Sequence, residues 1–229
     1  MIRRILTATG LVLILGACSA LVDSFTLADG SSHEGRISLV NGRIEIGADC
    51  RVNGQVSNVN GLIQVGSGTQ VLAISNVNGR ITLADEVEVD GDISSVNGRI
   101  ELGDNSRVSG GIESVNGRIS AADGVSIGGT VSAVNGNIEM RGARAAGLVT
   151  NNSDIRLETG TVIEGELRVR KSQGVSFNAG SPPKVIVGRN VRIEGPLTFE
   201  RDVELYVHES ASVGEITGAE AVRYSGETP

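Results

Sequence analysis

The side chains that could perform chemistry are few, and several of them recur at a fixed spacing. Asp85, Asp104 and Asp123 follow one another at intervals of 19 residues. Clustered carboxylates could bind calcium or act as an acid and a base, but Asp in a corner is also typical of a turn in which the carboxylate bonds its own backbone. Asn105 and Gly124 follow two of these aspartates. We therefore predict turns rather than a calcium or catalytic site.

Histidine, the most frequent general base, occurs only at His33 and His208. The two residues stand near opposite ends of the chain, and neither has a carboxylate at a recognisable spacing. A Ser-His-Asp set, a zinc-ligand spacing and a phosphate-binding loop are all missing from the sequence. The sequence thus predicts a protein that is not an enzyme, with no catalytic residue, no metal site and no cofactor.

The first residues, MIRRILTATGLVLILGACSA, have the composition of an export signal. Two arginines precede an apolar run, residues 5–15, which is too short to span a bilayer. The following L-G-A-C resembles the bacterial lipobox, which implies removal of residues 1–17 and acylation of Cys18. Ser rather than Asp follows this Cys, which favours the outer membrane, facing the periplasm or the surface. The alternative is an ordinary secretory peptide that is cleaved near Ala17 or Ala20.

Composition excludes some partners and restricts the core. The formal net charge is −7, and removal of the basic signal makes it more negative, which argues against nucleic acid as a partner. Aromatic residues make up only 2% of the chain, although 39% of it is hydrophobic. A narrow interior lined by Val, Ile and Leu would explain this bias. If Cys18 is acylated, Cys50 has no partner within the chain, and we predict it to be a small buried residue.

A repeat organises the chain from about residue 36. The tripeptide V-N-G occurs six times at intervals of 19, 18, 19, 19 and 19 residues, and a degenerate copy surrounds Asn152. Its asparagines are Asn41, Asn60, Asn78, Asn97, Asn116 and Asn135. Such a fixed period is typical of repeat architectures, in which neighbouring units bury each other's apolar side chains.

One unit, SSVNGRIELGDNSRVSGGIE, shows short strands separated by Gly-containing corners. Its apolar residues are Val96, Ile100, Leu102, Val108 and Ile112, and polar residues or Gly fill the places between them. The alternation has period two and shows no helical period. The fold class is therefore all-β: a single-stranded parallel β-helix of about 19 residues per rung, with three short strands in each. We expect a right-handed coil and a rod about 50 Å long, because rungs stand about 4.8 Å apart.

Stacking gives the V-N-G residues a structural role. Asn-Gly makes a sharp corner at low cost, because both residues tolerate the left-handed backbone region. Asparagines stacked on one another can form a ladder, since a carboxamide both donates and accepts. Arginine follows the motif in four rungs, at Arg43, Arg80, Arg99 and Arg118. These arginines are either a face for an anionic sugar or lipid headgroup, or a solvated face paired with the acidic file two residues later.

The sequence divides into five segments. Residues 1–17 are the lipoprotein signal, and residues 18–35 are an anchor, linker and N-terminal cap. Residues 36–142 form the regular V-N-G solenoid, and residues 143–216 continue it less regularly. Residues 217–229 form a C-terminal tail or cap.

The repeated S-x-V-N-G-R-I-E-L units resemble the bacterial adhesin-type β-strand-repeat family, and the strings VEVDGDIS and VSIGGTVSAV resemble bactofilins, which form polymers. The lipoprotein signal is a departure from bactofilins and argues against a cytoskeletal role. Taken with that signal, these resemblances imply a lipid-anchored envelope protein with a structural, scaffolding or adhesive role. Its expected partners are the membrane and envelope polysaccharide, peptidoglycan or another envelope protein. Two alternatives remain open: rods that polymerise end to end, and, in another class, a carbohydrate-active β-helix enzyme.

Overall fold

A computed structural model describes residues 24–171 and 181–229 of the chain, and these residues form twenty β-strands and no helix. All strand pairs in this part of the chain are parallel, and in the V-N-G rungs each strand lies beside its equivalent about 19 residues further on. Asn41 pairs in register with Asn60, and Asn60 with Asn78. The fold is a parallel β-solenoid of about 10 turns. The fold class predicted from the repeat is confirmed.

The strands vary in length, because some rungs join into one strand what other rungs divide into a short and a long one. The first, irregular rung consists of β1 (Ser24–Leu27) and β2 (Ser32–Glu34). The regular rungs contain β3 (Ile37–Ile46), β4 (Arg51–Val65), β5 (Gln70–Leu83), β6 (Glu88–Val89), β7 (Ile93–Leu102), β8 (Arg107–Val108), β9 (Ile112–Ala121), β10 (Ser126–Met140) and β11 (Arg144–Leu157). The later rungs contain β12 (Val162–Ile163), β13 (Leu167–Val169), β14 (Lys184–Val187), β15 (Arg192–Ile193), β16 (Leu197–Phe199), β17 (Glu204–His208), β18 (Ser212–Val213), β19 (Ile216–Thr217) and β20 (Ala221–Tyr224).

The V-N-G motif lies inside a paired strand, not between two strands. β3 pairs with β4 on both sides of the motif, from Ile37 to Ile46. The expectation of three separate short strands is wrong here, because parallel pairing continues across the bend. The bend is centred on glycine: φ is 136° at Gly61 and 137° at Gly79, whereas the V-N-G asparagines are not among the described residues with positive φ.

The left-handed corner of each rung follows the long strand instead. Among non-glycine residues, φ lies between 54° and 60° at Asp49, Glu86, Asn105 and Asn190. Three of these four are Asp or Asn, the residue types that tolerate the left-handed region best after Gly. The sequence predicts one sharp corner at V-N-G. The structure instead has a bend at the motif glycine and a separate left-handed turn after the strand.

The core consists of aliphatic side chains stacked along the rod. One file lies three residues after the motif asparagine, and each of its members is fully buried: Ile44, Ile63, Ile81, Ile100, Ile119 and Ile138. Burial of each such side chain contributes roughly 1.5–3 kcal/mol relative to exposure. The narrow interior explains the low aromatic content.

Stacking continues through both ends of the described chain. β1 pairs with β3, and β20 pairs with β17. The strand β20 lies within 217–229, the segment that the sequence assigns to a tail or cap. In the rung after the degenerate copy, Val169 pairs with Thr150 and Val185 pairs with Ile155, so fifteen residues of sequence separate two positions that four residues separate in the degenerate copy.

Candidate functional site: the bend edge of the solenoid

The motif asparagines form a continuous file of side-chain hydrogen bonds, which we call the asparagine ladder. In each contact the Nδ2 of one asparagine donates to the Oδ1 of its counterpart one rung earlier. The distances are 2.9 Å for Asn60 to Asn41, 2.8 Å for Asn78 to Asn60, 2.9 Å for Asn97 to Asn78, 3.0 Å for Asn116 to Asn97 and 3.0 Å for Asn135 to Asn116. The structure thus brings all six residues of the predicted ladder together. Asn152, in the degenerate copy, accepts instead from Arg201 at 2.8 Å.

Glycine follows each asparagine because the backbones of successive rungs approach closely there. A Cβ at Gly98 would lie 1.7 Å from the carbonyl oxygen of Gly79, and one at Gly117 would lie 1.6 Å from that of Gly98. Because a side chain has no room, the glycines leave a file of bare backbone beside the asparagine ladder.

A second polar file lies inside the bend, and the sequence reasoning missed it. Asn58 donates to the carbonyl of Gly42 at 2.9 Å, and Asn76 donates to that of Gly61 at 3.1 Å. Serine takes the equivalent position in the next two rungs. The hydroxyls of Ser95 and Ser114 are buried and have no hydrogen-bond partner within the described residues. The available signal was the S-N-V-N-G sequence of two units. Its first Asn lies two residues after a buried aliphatic residue, and period-two alternation therefore places that Asn on the inner face.

The valine of each motif lies on the outer surface, unlike the other apolar residues of the unit. Ile100, Leu102, Val108 and Ile112 are buried, but Val96 is 40% exposed. Equivalent exposed residues form the valine file, which consists of Val40, Val59, Val77, Val96, Val115 and Val134. Alternation with the buried residues Ile93 and Ser95 places Val96 on the outer surface, and the bend that follows shifts the alternation so that Ile100 faces inward.

The predicted arginine face forms a file on the other side of the glycines. Arg80, Arg99 and Arg118 pair in register over three consecutive rungs, and Leu62 separates them from Arg43. Their side chains are between 43% and 52% exposed.

Acidic residues two positions further along contact these arginines. Glu101 lies 3.2 Å from Arg99 and 4.0 Å from Arg80, and Glu139 lies 3.6 Å from Arg118. Exposed ion pairs of this kind contribute about 0–1 kcal/mol each. The pairing relieves repulsion within the file, as the solvated-face alternative requires, and it leaves most guanidinium donors free.

A shallow groove of about 700 Å³ runs along the bend edge. Its floor is the glycine file, and its walls are Asn116 on one side and the arginines on the other. We call it the bend groove. It is lined by Gly61, Leu62, Gly79, Arg80, Gly98, Arg99, Asn116, Gly117 and Arg118. Its donors could hold an elongated anionic or hydroxyl-rich molecule.

The recurring aspartates stabilise the corners between rungs. Oδ1 of Asp85 accepts from the backbone N–H of Asp104 at 2.9 Å, and Oδ1 of Asp104 accepts from that of Asp123 at 3.1 Å. The predicted role in turns is therefore correct in kind but wrong in detail, because each carboxylate bonds the backbone of the next rung and not its own. Asp85 and Asp104 thus each accept a hydrogen bond from a backbone N–H that would otherwise face solvent at the corner.

The two histidines lie at opposite ends of the described chain and make local contacts. His33, in β2, packs edge to face against Phe25 with ring centroids 5.4 Å apart. Nδ1 of His208 accepts from the backbone N–H of Ser210 at 3.0 Å and lies 2.8 Å from its hydroxyl. Tyr224 packs against His208, and burial raises the pKa of its phenol. Nothing in these contacts aligns a histidine with a carboxylate.

Cys50 occupies a buried corner position that threonine or serine takes in other rungs. Its side chain is 3% exposed, as predicted, and its thiol donates to the carbonyl of Ala28 at 3.1 Å. The hydroxyl of Thr69 makes the equivalent bond to Gly47 at 2.8 Å. Cys18, the predicted lipidation site, lies outside the described residues.

Two searches of residues 24–171 and 181–229 bear on other site types. No group of three or more His, Cys, Asp or Glu side chains there is arranged to hold a metal ion. No helix in the same residues has the length and hydropathy needed to cross a bilayer.

The fold and the bend edge define a class of protein, the parallel β-solenoids. Comparison with protein-family models, with curated proteins and with solved structures gives no match. The resemblance of the V-N-G units to adhesin-type repeats and to bactofilins therefore stays a prediction.

Proposed function

We propose that this chain is a non-enzymatic rod of the cell envelope with a structural, scaffolding or adhesive role. The observation that carries the proposal is the in-register stacking of like side chains along the solenoid. About 10 such turns give a rod about 50 Å long at a spacing of about 4.8 Å. Each face then repeats the same chemistry at every rung, which suits an extended or repetitive partner better than a single small molecule.

The chemistry of the titratable side chains supports a role without catalysis. The corner aspartates accept hydrogen bonds from backbone amides, and both histidines make local contacts at the ends of the rod. Side chains that act in catalysis need a reacting group within hydrogen-bond reach. A carbohydrate-active enzyme would need paired acids at a cleft, and the bend groove is lined by arginine and asparagine instead.

The proposed location depends on the N-terminal sequence. L-G-A-C after a basic start and an apolar run supports export and acylation at Cys18, followed by residence in the outer membrane. Two or three acyl chains anchor a protein stably, whereas a single chain gives marginal binding. The partners proposed are envelope polysaccharide, peptidoglycan or another envelope protein. The net charge of −7 argues against nucleic acid.

Metabolic labelling with a radioactive or clickable fatty acid tests the anchor. The full chain, expressed in a bacterium that processes lipoproteins, should incorporate label and partition into the detergent phase. Cys18→Ser should lose both properties, and Cys50→Ser provides the matched control that should keep them. Label in the Cys18→Ser protein, or none in the unsubstituted protein, would contradict the lipoprotein proposal.

End-to-end polymerisation is a second candidate, and the C-terminal end of the rod favours it. β20 pairs with β17 on one side, and its other edge has no partner strand within the described residues. Ile216 and Ala221 are only partly buried against the core, and Val222 is 55% exposed. An open parallel edge with apolar side chains is a template for another strand.

Negative-stain microscopy and sedimentation of the unlipidated chain at high concentration test this candidate. Filaments that Ile216→Lys abolishes, and that the flank variant Val96→Lys leaves intact, would support end-to-end association. Short monomeric rods at all concentrations would contradict it.

A further inference from the structure

We propose that the bend groove binds a linear polysaccharide that carries carboxylate groups. This polysaccharide would be a partner of the proposed envelope rod. The proposal rests on that function in one respect, because the cell envelope is where the rod would meet the polysaccharide. It depends on the groove, on the three stacked arginines and on the free donors of the asparagine ladder.

The arginines supply the sites for the anionic groups. Arg80, Arg99 and Arg118 lie over one another in consecutive rungs, beside Glu101 and Glu139. A guanidinium has five N–H donors and binds a carboxylate bidentately, so one contact with a neighbouring glutamate leaves donors for a ligand. The groove is thus a locally basic strip on a chain whose net charge is −7. An anionic ligand would be directed to this strip and repelled elsewhere.

The asparagine ladder supplies sites for hydroxyl groups. In the ladder, Asn116 uses one N–H to donate to Asn97 and one lone pair to accept from Asn135. A carboxamide has two N–H groups and two lone pairs, so one donor and one acceptor site remain on each rung. Sugar hydroxyls both donate and accept, and they match this surface.

The spacing of the rungs selects among linear anions. Successive rungs stand about 4.8 Å apart, which is close to the length of one sugar in an extended polymer. An extended acidic peptide presents side chains on one face only every 6.8 Å or so, about twice the rise per residue, and would lose register. Single-stranded nucleic acid is bound through aromatic platforms, and the residues that line the groove include no aromatic side chain.

The length of the groove sets the length of the ligand segment. The groove spans four rungs, from Leu62 to Arg118, and thus about 14 Å. This distance corresponds to about three sugars at one sugar per rung. Leu62 ends the basic strip, since it interrupts the arginine file between Arg43 and Arg80.

Isothermal titration of the purified full chain with an oligogalacturonate tests the proposal. A neutral cello-oligosaccharide and poly-L-glutamate serve as comparison probes. We expect binding of the oligogalacturonate, and weak or undetectable binding of both other probes. Arg99→Gln should weaken binding about tenfold, because a charge-assisted hydrogen bond to the ligand is lost.

Two further variants sharpen the test. Leu62→Arg extends the basic strip by one rung and should tighten binding severalfold. Arg144→Gln is the matched control, because Arg144 is an equally exposed arginine that pairs with Glu164 at 2.9 Å on another face. It should bind like the unsubstituted chain.

The outcomes separate this inference from the proposed function. No binding of oligogalacturonate, equal losses in Arg99→Gln and Arg144→Gln, or stronger binding of poly-L-glutamate would overturn the polysaccharide proposal. A chain that is acylated at Cys18 and fails to bind contradicts the groove alone. A chain that binds and is not acylated contradicts the anchor alone.

Discussion

Replacement of Gly98 by alanine tests the close stacking of rungs on which the whole rod depends. Gly98 lies at the bend of a central rung, beside Asn97 of the asparagine ladder. The added Cβ would stand 1.7 Å from the carbonyl oxygen of Gly79 and 2.8 Å from its carbon. Both atoms belong to backbone that is paired on its two sides, so neither can rotate away as a flexible side chain would.

The geometry of the bend sets the magnitude. A methyl carbon cannot approach an oxygen closer than about 3 Å, so the rungs must separate locally by more than 1 Å or so. The ladder bond from Asn97 to Asn78 is 2.9 Å long and would be broken, together with backbone bonds on either side of the glycine. Each broken bond costs about 1 kcal/mol, and a buried group left unpaired costs more. We expect Gly98→Ala to lower the free energy of unfolding by about 3–5 kcal/mol, at the upper end for a single substitution.

Urea unfolding followed by far-ultraviolet circular dichroism measures this loss. Gly147→Ala is the matched control, because a Cβ at Gly147 meets its nearest neighbour, the carbonyl oxygen of Glu166, at 3.4 Å. It should change the free energy of unfolding by less than about 1 kcal/mol. Equal midpoints for the two variants would refute the argument from close backbone approach.

Substitutions at three further residues follow from individual contacts, and the same urea titration measures each. Asn97→Ala removes two ladder bonds on an exposed edge and should cost about 1–2 kcal/mol, and an unchanged midpoint would mean that the ladder contributes nothing. Ser114→Ala removes a buried hydroxyl that has no hydrogen-bond partner, so the free energy of unfolding should stay equal or rise by about 1 kcal/mol. Alanine already occupies the equivalent place one rung later, at Ala133. A decrease of more than about 1 kcal/mol would contradict this reasoning. Cys50→Thr should retain full stability, because Thr69 makes the same bond one rung later, whereas Cys50→Ala should cost about 1 kcal/mol.

The periodicity of the sequence predicts most of the rod, because stacking demands like residues above one another. The spacing of Asn78, Asn97 and Asn116 suffices to predict the parallel register and the ladder. The Ile100 position is equally clear, since isoleucine recurs there in the six motif rungs and is fully buried in each. These features recur at the same place in successive units, so a comparison of the units within the sequence is enough to predict them.

The path of the chain within a rung is harder to predict. The valine and the isoleucine of V-N-G-R-I are both apolar, and only the bend at glycine determines that Val96 faces out while Ile100 faces in. The polar file behind the bend escaped prediction for another reason: Asn58 and Asn76 continue the inward positions of their strands, although amide side chains are more typical of the surface. The partner of each corner aspartate was missed because its donor lies 19 residues away along the chain.

Some files of stacked side chains repeat the same residue in every motif rung, and others vary. This difference distinguishes the residues that the fold requires from those that it does not. Glycine and isoleucine recur without exception in the six motif rungs, because the backbones approach closely at the glycine and the narrow core takes an aliphatic side chain at the isoleucine. Like charges stacked at rung spacing repel each other by about 1 kcal/mol in water, so no packing requirement selects three consecutive arginines. Leu62 and Asn137 show that other residues fit the same column. Arg80, Arg99 and Arg118 are therefore the part of the bend edge that the fold does not require, and their chemistry is the best guide to the partner.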